Sequence, residues 1–468
     1  MVLSSSAYFI FLAAAFFLYW PLSRVRALGL AVLLFANYFF YAKWDLFYLG
    51  LIPAASTCDY LVGLALGRAQ RPWLRRVLVS ISVLVNLGIL TSFKYMPFLL
   101  DNYTRATGQP APAWHWTFPL GISFYCFQSL TYTIDVYRRD AKPTASLLAY
   151  LASVSFFPTT LAGPITRVAT LLPQVEKTNR TLDSADSGKA LFLIAVGLMK
   201  KLLIADYLAD NLVNRVFDLP KLYTGAEVLI GVYGYALQLY YDFSGYTDIA
   251  LGSALLLGIK LPPNFNQPYS AVNIADFWRR WHISLSNWLR DYLYFSLPGL
   301  RSRWKIWTYL NLVVTMTLGG LWHGASWNFV LWGLMHGTAL ALQRAWQALR
   351  GASAPPARWR KFGAAVLTGH FVCFAWIFFR SPDPTAAETI LQRIASGSVS
   401  FANISPPLAF ILLVAIAGHY APTAWNLWSQ QRYASLPFYA QAATLMLLAV
   451  ALQYVAATGA APFIYTRF

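Results

Sequence analysis

One histidine lies inside an apolar run, His323 in "TMTLGGLWHGASWNFVLWGLMHG". An ionisable side chain within a membrane segment is costly and tends to be functional. Gly319 and Gly320 precede it and loosen the helix, and Gly324 after it would let a ligand or backbone approach closely. A histidine titrating near neutrality in a low-dielectric tunnel suits general-base work on a hydroxyl. The plainer alternative is a structural hydrogen bond to a neighbouring helix. His336 follows thirteen residues later in the same run. Paired metal ligands on one helix favour i, i+3 or i, i+4 spacing, and no cysteine or carboxylate lies close in sequence, so no metal site is expected. His282 sits in "RRWHISLS", where a structural or headgroup-contact role competes with catalysis. His115, His370 and His419 fall in a loop or near span ends and receive no role.

A second polar cluster, "YALQLYYDFSGYTDIALG", carries Gln238, Asp242, Ser244, Tyr246, Thr247 and Asp248 around Gly245. Asp242 and Asp248 are six residues apart and do not share a helical face, which argues against an acid/base pair. A buried polar network shaping a cavity is the first reading, and a proton relay the second. The sequence contains no Walker A lysine loop, no GxGxxG after a strand and no HExxH. Its last seven residues, "PFIYTRF", hold Phe463, Tyr465 and Phe468, which taken alone read as an aromatic anchor at a membrane interface.

These residues must be positioned by membrane helices. The chain has 468 residues, 58% hydrophobic and 17% aromatic but only 12% charged, and its mean hydropathy is +0.48. A soluble domain is closer to a quarter charged. Apolar stretches recur along the whole length, so an all-α polytopic membrane protein is expected. The net charge of +18 comes from short basic runs between apolar spans. The positive-inside rule explains these runs more simply than nucleic acid, and no nucleic-acid partner is expected. Cys58, Cys126 and Cys373 lie in or beside apolar stretches and read as free thiols. The first apolar stretch lacks a basic n-region, so it reads as a span and not as a cleaved signal.

Spans thread through residues 7–22, 27–42, 46–66 and 77–98, and later 190–212, 227–259, 362–379, 408–420 and 437–457. Loops rich and poor in Lys and Arg alternate, which predicts basic loops in the cytoplasm and both termini on the periplasmic side. "LASVSFFPTTLAGPITR", broken by Pro158, Gly163 and Pro164, reads as a re-entrant or kinked segment. Residues 305–343 form one bent hairpin or two spans. Residues 274–295 place Phe277, Trp281, Leu285, Trp288 and Tyr292 on one stripe, while Arg279, Arg280, Arg290 and Asp291 interrupt any spanning reading. This predicts an amphipathic helix at the cytoplasmic interface, in contact with membrane lipids.

"PLGISFYCFQSLTYTIDVYRRD", "SFFPTTLAGPITR", "YYDFSGYTDIALG", "NFNQPYSAVNIADFWRRWHISLSNWLRDYLY" and "GGLWHGASWNFVLWGLMHG" together resemble the membrane-bound O-acyltransferase (MBOAT) family. The likeness is to its bacterial branch, which O-acetylates alginate and peptidoglycan. It covers nearly the whole chain, 1–468, as a single transmembrane domain. The resemblance implies a helical bundle of roughly 10–12 spans with interfacial helices and a central tunnel in the bacterial inner membrane. It implies an essential histidine, which corresponds to His323, and a second recurrent histidine, which corresponds to His282. It also implies acetyl-CoA as a cytoplasmic donor substrate, with no permanently bound cofactor. The acetyl group would pass to a periplasmic partner of the SGNH esterase type for O-acetylation of an exported polysaccharide such as alginate, peptidoglycan or cellulose. Which residues hold the donor stays unassigned.

Residues 462–468 fit F-x-Y-x-x-F and are similar to the terminal motif of the small partner protein in the D-alanylation system of Gram-positive bacteria, where a tyrosine is implicated as an acyl relay. By that likeness Phe463 and Phe468 would dock the tail and Tyr465 would receive the acyl group at the outer mouth of the tunnel. Transfer of another acyl group, D-alanyl or one destined for a lipid or protein, stays open. So does transport without chemistry.

Overall fold

The computed structural model describes residues 2–455, apart from 44–48, 117–118, 120, 162, 179–180, 300–301, 303 and 351–356. The described residues form helices and turns, with no strand among them. Two compact units divide the chain. The first is built from Met1–Ile194, Tyr246–Pro262 and Tyr433–Leu436. The second is built from Ala195–Gly245, Pro263–Arg432 and the described residues from Pro437 onward.

In the first unit the helices Leu51–Arg68, Pro72–Leu90 and Ile122–Arg138 pack against one another. Their shared interior is unusually polar. Asp59 is fully buried and accepts from Ser82 Oγ at 2.6 Å, Asn86 Nδ2 at 2.9 Å and Ser129 Oγ at 2.5 Å. A buried carboxylate needs such donors; Ser82 and Asn86 tie Asp59 to the Pro72–Leu90 helix and Ser129 ties it to Ile122–Arg138. Arg75 is 9% exposed and donates to the carbonyls of Leu66, Ala69, Val136 and Tyr137. One guanidinium therefore bonds carbonyls at the C-terminal ends of two helices, where its charge also complements their dipoles.

The segment broken by Pro158 and Gly163 is a short helix, Leu147–Val154, followed by a single turn, Phe157–Thr160. Phe156 and Phe157 are fully buried. Asn37 serves the interrupted backbone, accepting from the Phe157 N–H at 2.9 Å and donating to the Ala152 carbonyl at 3.0 Å. Irregular backbone at depth is tolerated when protein satisfies it in this way.

In the second unit the helix Ile306–His323 turns at Gly324 and returns as Trp327–Arg350. These two helices form the most extensive helix pair in the structure. Glycines let their backbones meet: a side chain begun at Gly337 would lie 2.7 Å from the Val313 Cα.

Among the described residues, two helical paths are long and apolar enough to cross a membrane, Pro72–Thr107 and Arg358–Arg380. A bent pair, Pro406–Tyr420 with Thr423–Ala434, could add a third. Ser6–Leu22 and Arg26–Ala42 are apolar but have 17 residues each, which is about 25 Å at 1.5 Å per residue against a hydrocarbon core of about 30 Å. The all-α architecture of many helices, some of them apolar, is the one expected from the sequence. Several helices are short or carry polar residues that pack on protein.

Candidate functional site

His323 is the last residue of the Ile306–His323 helix and is 4% exposed. Its ring is enclosed by aromatics, with centroids 5.1 Å from Trp322, 5.3 Å from Trp332 and 5.2 Å from Phe379. The contacts with Trp332 and Phe379 are edge-on, at 88° and 69°. Gly324 leaves the helix in extended backbone, so His323 stands at the point where the chain reverses.

His282 comes to the same place from another element. Its ring centroid lies 6.5 Å from that of His323, 6.2 Å from Trp322 and 4.6 Å from Phe243. His282 is fully buried and adopts left-handed backbone at φ 41°. The expected single amphipathic helix over 274–295 is here a broken path. It runs as Ile274–Arg280, a corner at Trp281–His282, Ile283–Trp288 and then a π-helical turn, Leu289–Leu293. The preceding loop makes the break: Asn266 N–H donates to the Arg280 carbonyl and Ile283 N–H to the Asn264 carbonyl, both at 2.9 Å. These bonds replace the helical ones lost at the corner. The stripe of Phe277, Trp281, Leu285, Trp288 and Tyr292 is buried against protein at every position.

His336 is fully buried one helix further on. Trp278 Nε1 donates to its Nδ1 at 3.3 Å, which places the imidazole proton on Nε2. Trp332 stands in ring contact with both His336, at 4.8 Å, and His323, at 5.3 Å. Among the described residues no group of three His, Cys, Asp or Glu could hold a metal ion.

A cavity of about 520 Å³ opens beside this array, lined among others by Trp278, Leu289, Arg290, Thr315, Leu340 and Arg344. Its walls are mainly apolar, with two guanidinium groups on them. Arg290 also bonds Asp291 in bidentate fashion, at 2.7 and 3.1 Å.

The second polar cluster resolves differently from its sequence pattern. Lys201 is 4% exposed and bonds Asp242 at 2.6 Å and Asp206 at 2.7 Å. It sits in the π-helical stretch Met199–Ala205, which turns its side chain out of α-helical register. Asp242 therefore pairs with a lysine on another helix, and no local spacing announced that.

Of the residues singled out in the sequence, the structure brings His323 and His282 together and links His336 to them through Trp332. Tyr465 and the whole 462–468 tail lie outside the described residues. His115 and His370 are exposed, and His419 is buried with Nε2 accepting from the Tyr269 N–H at 3.2 Å. Trp332 and Phe379, which wall His323, were not singled out, because one tryptophan among 18 in an apolar run carries no signal of its own.

An all-helical membrane chain with paired histidines buried among aromatics has the frame of a membrane-embedded enzyme. Residues 78–381 match the model of "MBOAT, membrane-bound O-acyltransferase family", and the chain belongs to that family. It is an O-acyltransferase by family. It is 43% identical over 393 residues to the "Probable alginate O-acetylase AlgI" of Azotobacter vinelandii, covering 82% of this chain and 76% of that protein. It is 35% identical over 406 residues to the "Peptidoglycan O-acetyltransferase" of Helicobacter pylori, covering 80% and 75%. It is 31% identical over 275 residues to the "Teichoic acid D-alanyltransferase" of Bacillus subtilis, covering 56% and 68%.

Proposed function

We propose that this chain takes an acetyl group from cytoplasmic acetyl-CoA and transfers it across the bacterial inner membrane for O-acetylation of an exported polysaccharide. The observation that carries the reading is His323, a buried histidine at a chain reversal within 6.5 Å of a second buried histidine. The relatives named for alginate and peptidoglycan O-acetylation support an acetyl group and a polysaccharide as its destination.

In this reading the whole chain works as one catalytic domain with both termini periplasmic. The thioester carbonyl meets an attacking hydroxyl beside His323. His323 takes the hydroxyl proton as the new ester bond forms and passes it to the departing thiolate. His282, whose ring centroid lies 6.5 Å from that of His323, is assigned the role of orienting the imidazole or the incoming hydroxyl. The cavity with Arg290 and Arg344 suits a donor that carries phosphates on a long flexible arm, since guanidinium groups match phosphate oxygens.

Tyr465 is the proposed exit acceptor. Its phenol would carry the acetyl group as an aryl ester, a better leaving group than a serine ester, and hand it to a periplasmic SGNH-type partner. The test is to incubate purified protein with isotopically labelled acetyl-CoA and analyse the C-terminal peptide by mass spectrometry. Acetyl on Tyr465, with transfer to the acceptor lost in Tyr465→Phe, is the expected result. An unlabelled peptide with full transfer in Tyr465→Phe would remove the relay. Preferential use of a D-alanyl donor would move the reading toward the function named for the Bacillus relative.

A further inference from the structure

Two buried N–H groups, one on a ring touching His323 and one on the next ring along, have no hydrogen-bond acceptor among the described residues. One is the indole Nε1 of Trp332, a residue 1% exposed. The other is Nε2 of the fully buried His336. The Trp278 indole occupies Nδ1 of His336 at 3.3 Å, so Nε2 is the nitrogen that carries the proton. The two rings are neighbours, with centroids 4.8 Å apart. Trp332 is also in edge contact with His323 at 5.3 Å and stacked on Trp376 at 5.5 Å. A buried donor left without an acceptor carries the cost of its lost hydration. Leaving two of them in one aromatic enclosure beside a candidate base is expensive unless something with lone pairs binds there.

We propose that Trp332 and His336 form an oxyanion-binding pair for the acyl transfer assigned to His323, and the proposal rests on that assignment. When a hydroxyl attacks the thioester, its oxygen lone pair forms the new bond to the carbonyl carbon. The carbonyl π pair moves onto the carbonyl oxygen, and the hydroxyl proton goes to His323. The oxyanion then accepts from Trp332 Nε1 and His336 Nε2. Collapse restores the carbonyl, breaks the carbon–sulfur bond and releases a thiolate, which takes the proton from His323. Donors fixed in advance in a water-poor site favour charge that develops only in the transition state, so they act on kcat. Trp278 is a positioning residue in this scheme: its bond to Nδ1 selects the tautomer that leaves Nε2–H available.

The experiment measures kcat and KM for the labelled acetyl donor in full-length protein, alongside its thermal unfolding midpoint. Trp332→Phe keeps an aromatic ring and removes the N–H. A benzothienylalanine at position 332 keeps the whole indole outline with sulfur in place of N–H, and serves if the phenylalanine variant folds poorly. The proposal expects kcat to fall by about 100-fold with KM and the midpoint preserved. His336→Phe should behave likewise, and His336→Gln, which retains an N–H, should recover part of the loss. Wild-type kcat in the sulfur analogue, or no difference between His336→Gln and His336→Phe, would overturn it. If His323→Ala is inactive while the sulfur analogue is fully active, the oxyanion pair falls and the base assignment stands. If His323→Ala is itself active, both fall.

Discussion

The imidazole rings of His282 and His323 stand 6.5 Å apart, centroid to centroid, although they arrive on different elements, and both are buried. His282 is delivered by a broken helix whose corner requires left-handed backbone, φ 41°. Asparagine tolerates that conformation and stays polar, whereas a β-branched residue does not. His282→Asn is therefore expected to express and unfold like the wild type while losing roughly tenfold or more in acetyl transfer. His282→Val is expected to lose folded protein as well, and size-exclusion profiles in detergent separate the two.

Lys201 holds two carboxylates at once, at 2.6 and 2.7 Å. Lys201→Met leaves the buried Asp242 and the partly buried Asp206 with no cation between them, which should destabilise the fold by about 3–5 kcal/mol. Asp242→Asn added to Lys201→Met removes one of the stranded charges and should recover part of that loss. Thermal unfolding of the single and double variants measures the coupling.

Arg75 feeds four carbonyls at two helix ends. A lysine presents a point charge and cannot fork across both ends. Arg75→Lys should lower stability by about 1.5–3 kcal/mol, and Arg75→Met by more. Acetyl transfer per folded molecule should be unchanged in both. Unfolding midpoints read against specific activity test this.

Gly337 packs against Val313 closely enough that an added Cβ would fall 2.7 Å from its Cα. Gly337→Val should push the Trp327–Arg350 helix away from Ile306–His323 and displace His323 with it. Activity should fall at least as steeply as stability, whereas Gly363→Ala, at a position with open space around it, should change neither.

Much of this molecule was legible in its sequence, for reasons that differ by residue. His323 was visible because an ionisable group in an apolar run has few structural explanations. The buried stripe from Phe277 to Tyr292 was visible because helical periodicity survives a break. The break itself was not, since it depends on carbonyls of Asn264 and Arg280 that no side-chain pattern encodes. Asp242 was seen, but its partner was sought along the same helix, and Lys201 comes from another. The capping role of Arg75 was not legible, because a capping arginine and one in a basic loop look alike in one dimension. The number of spans was read from apolar length, and several helices bury polar faces against protein, which length cannot report.

The measurement that tests the central claim most directly is transfer of labelled acetyl from acetyl-CoA by the purified wild type and by His323→Ala, with folding checked on the same samples. The account predicts that the wild type moves label onto Tyr465 or an added hydroxyl acceptor with release of free thiol. It predicts that folded His323→Ala moves none above background. Label transfer at the wild-type rate by His323→Ala would contradict it.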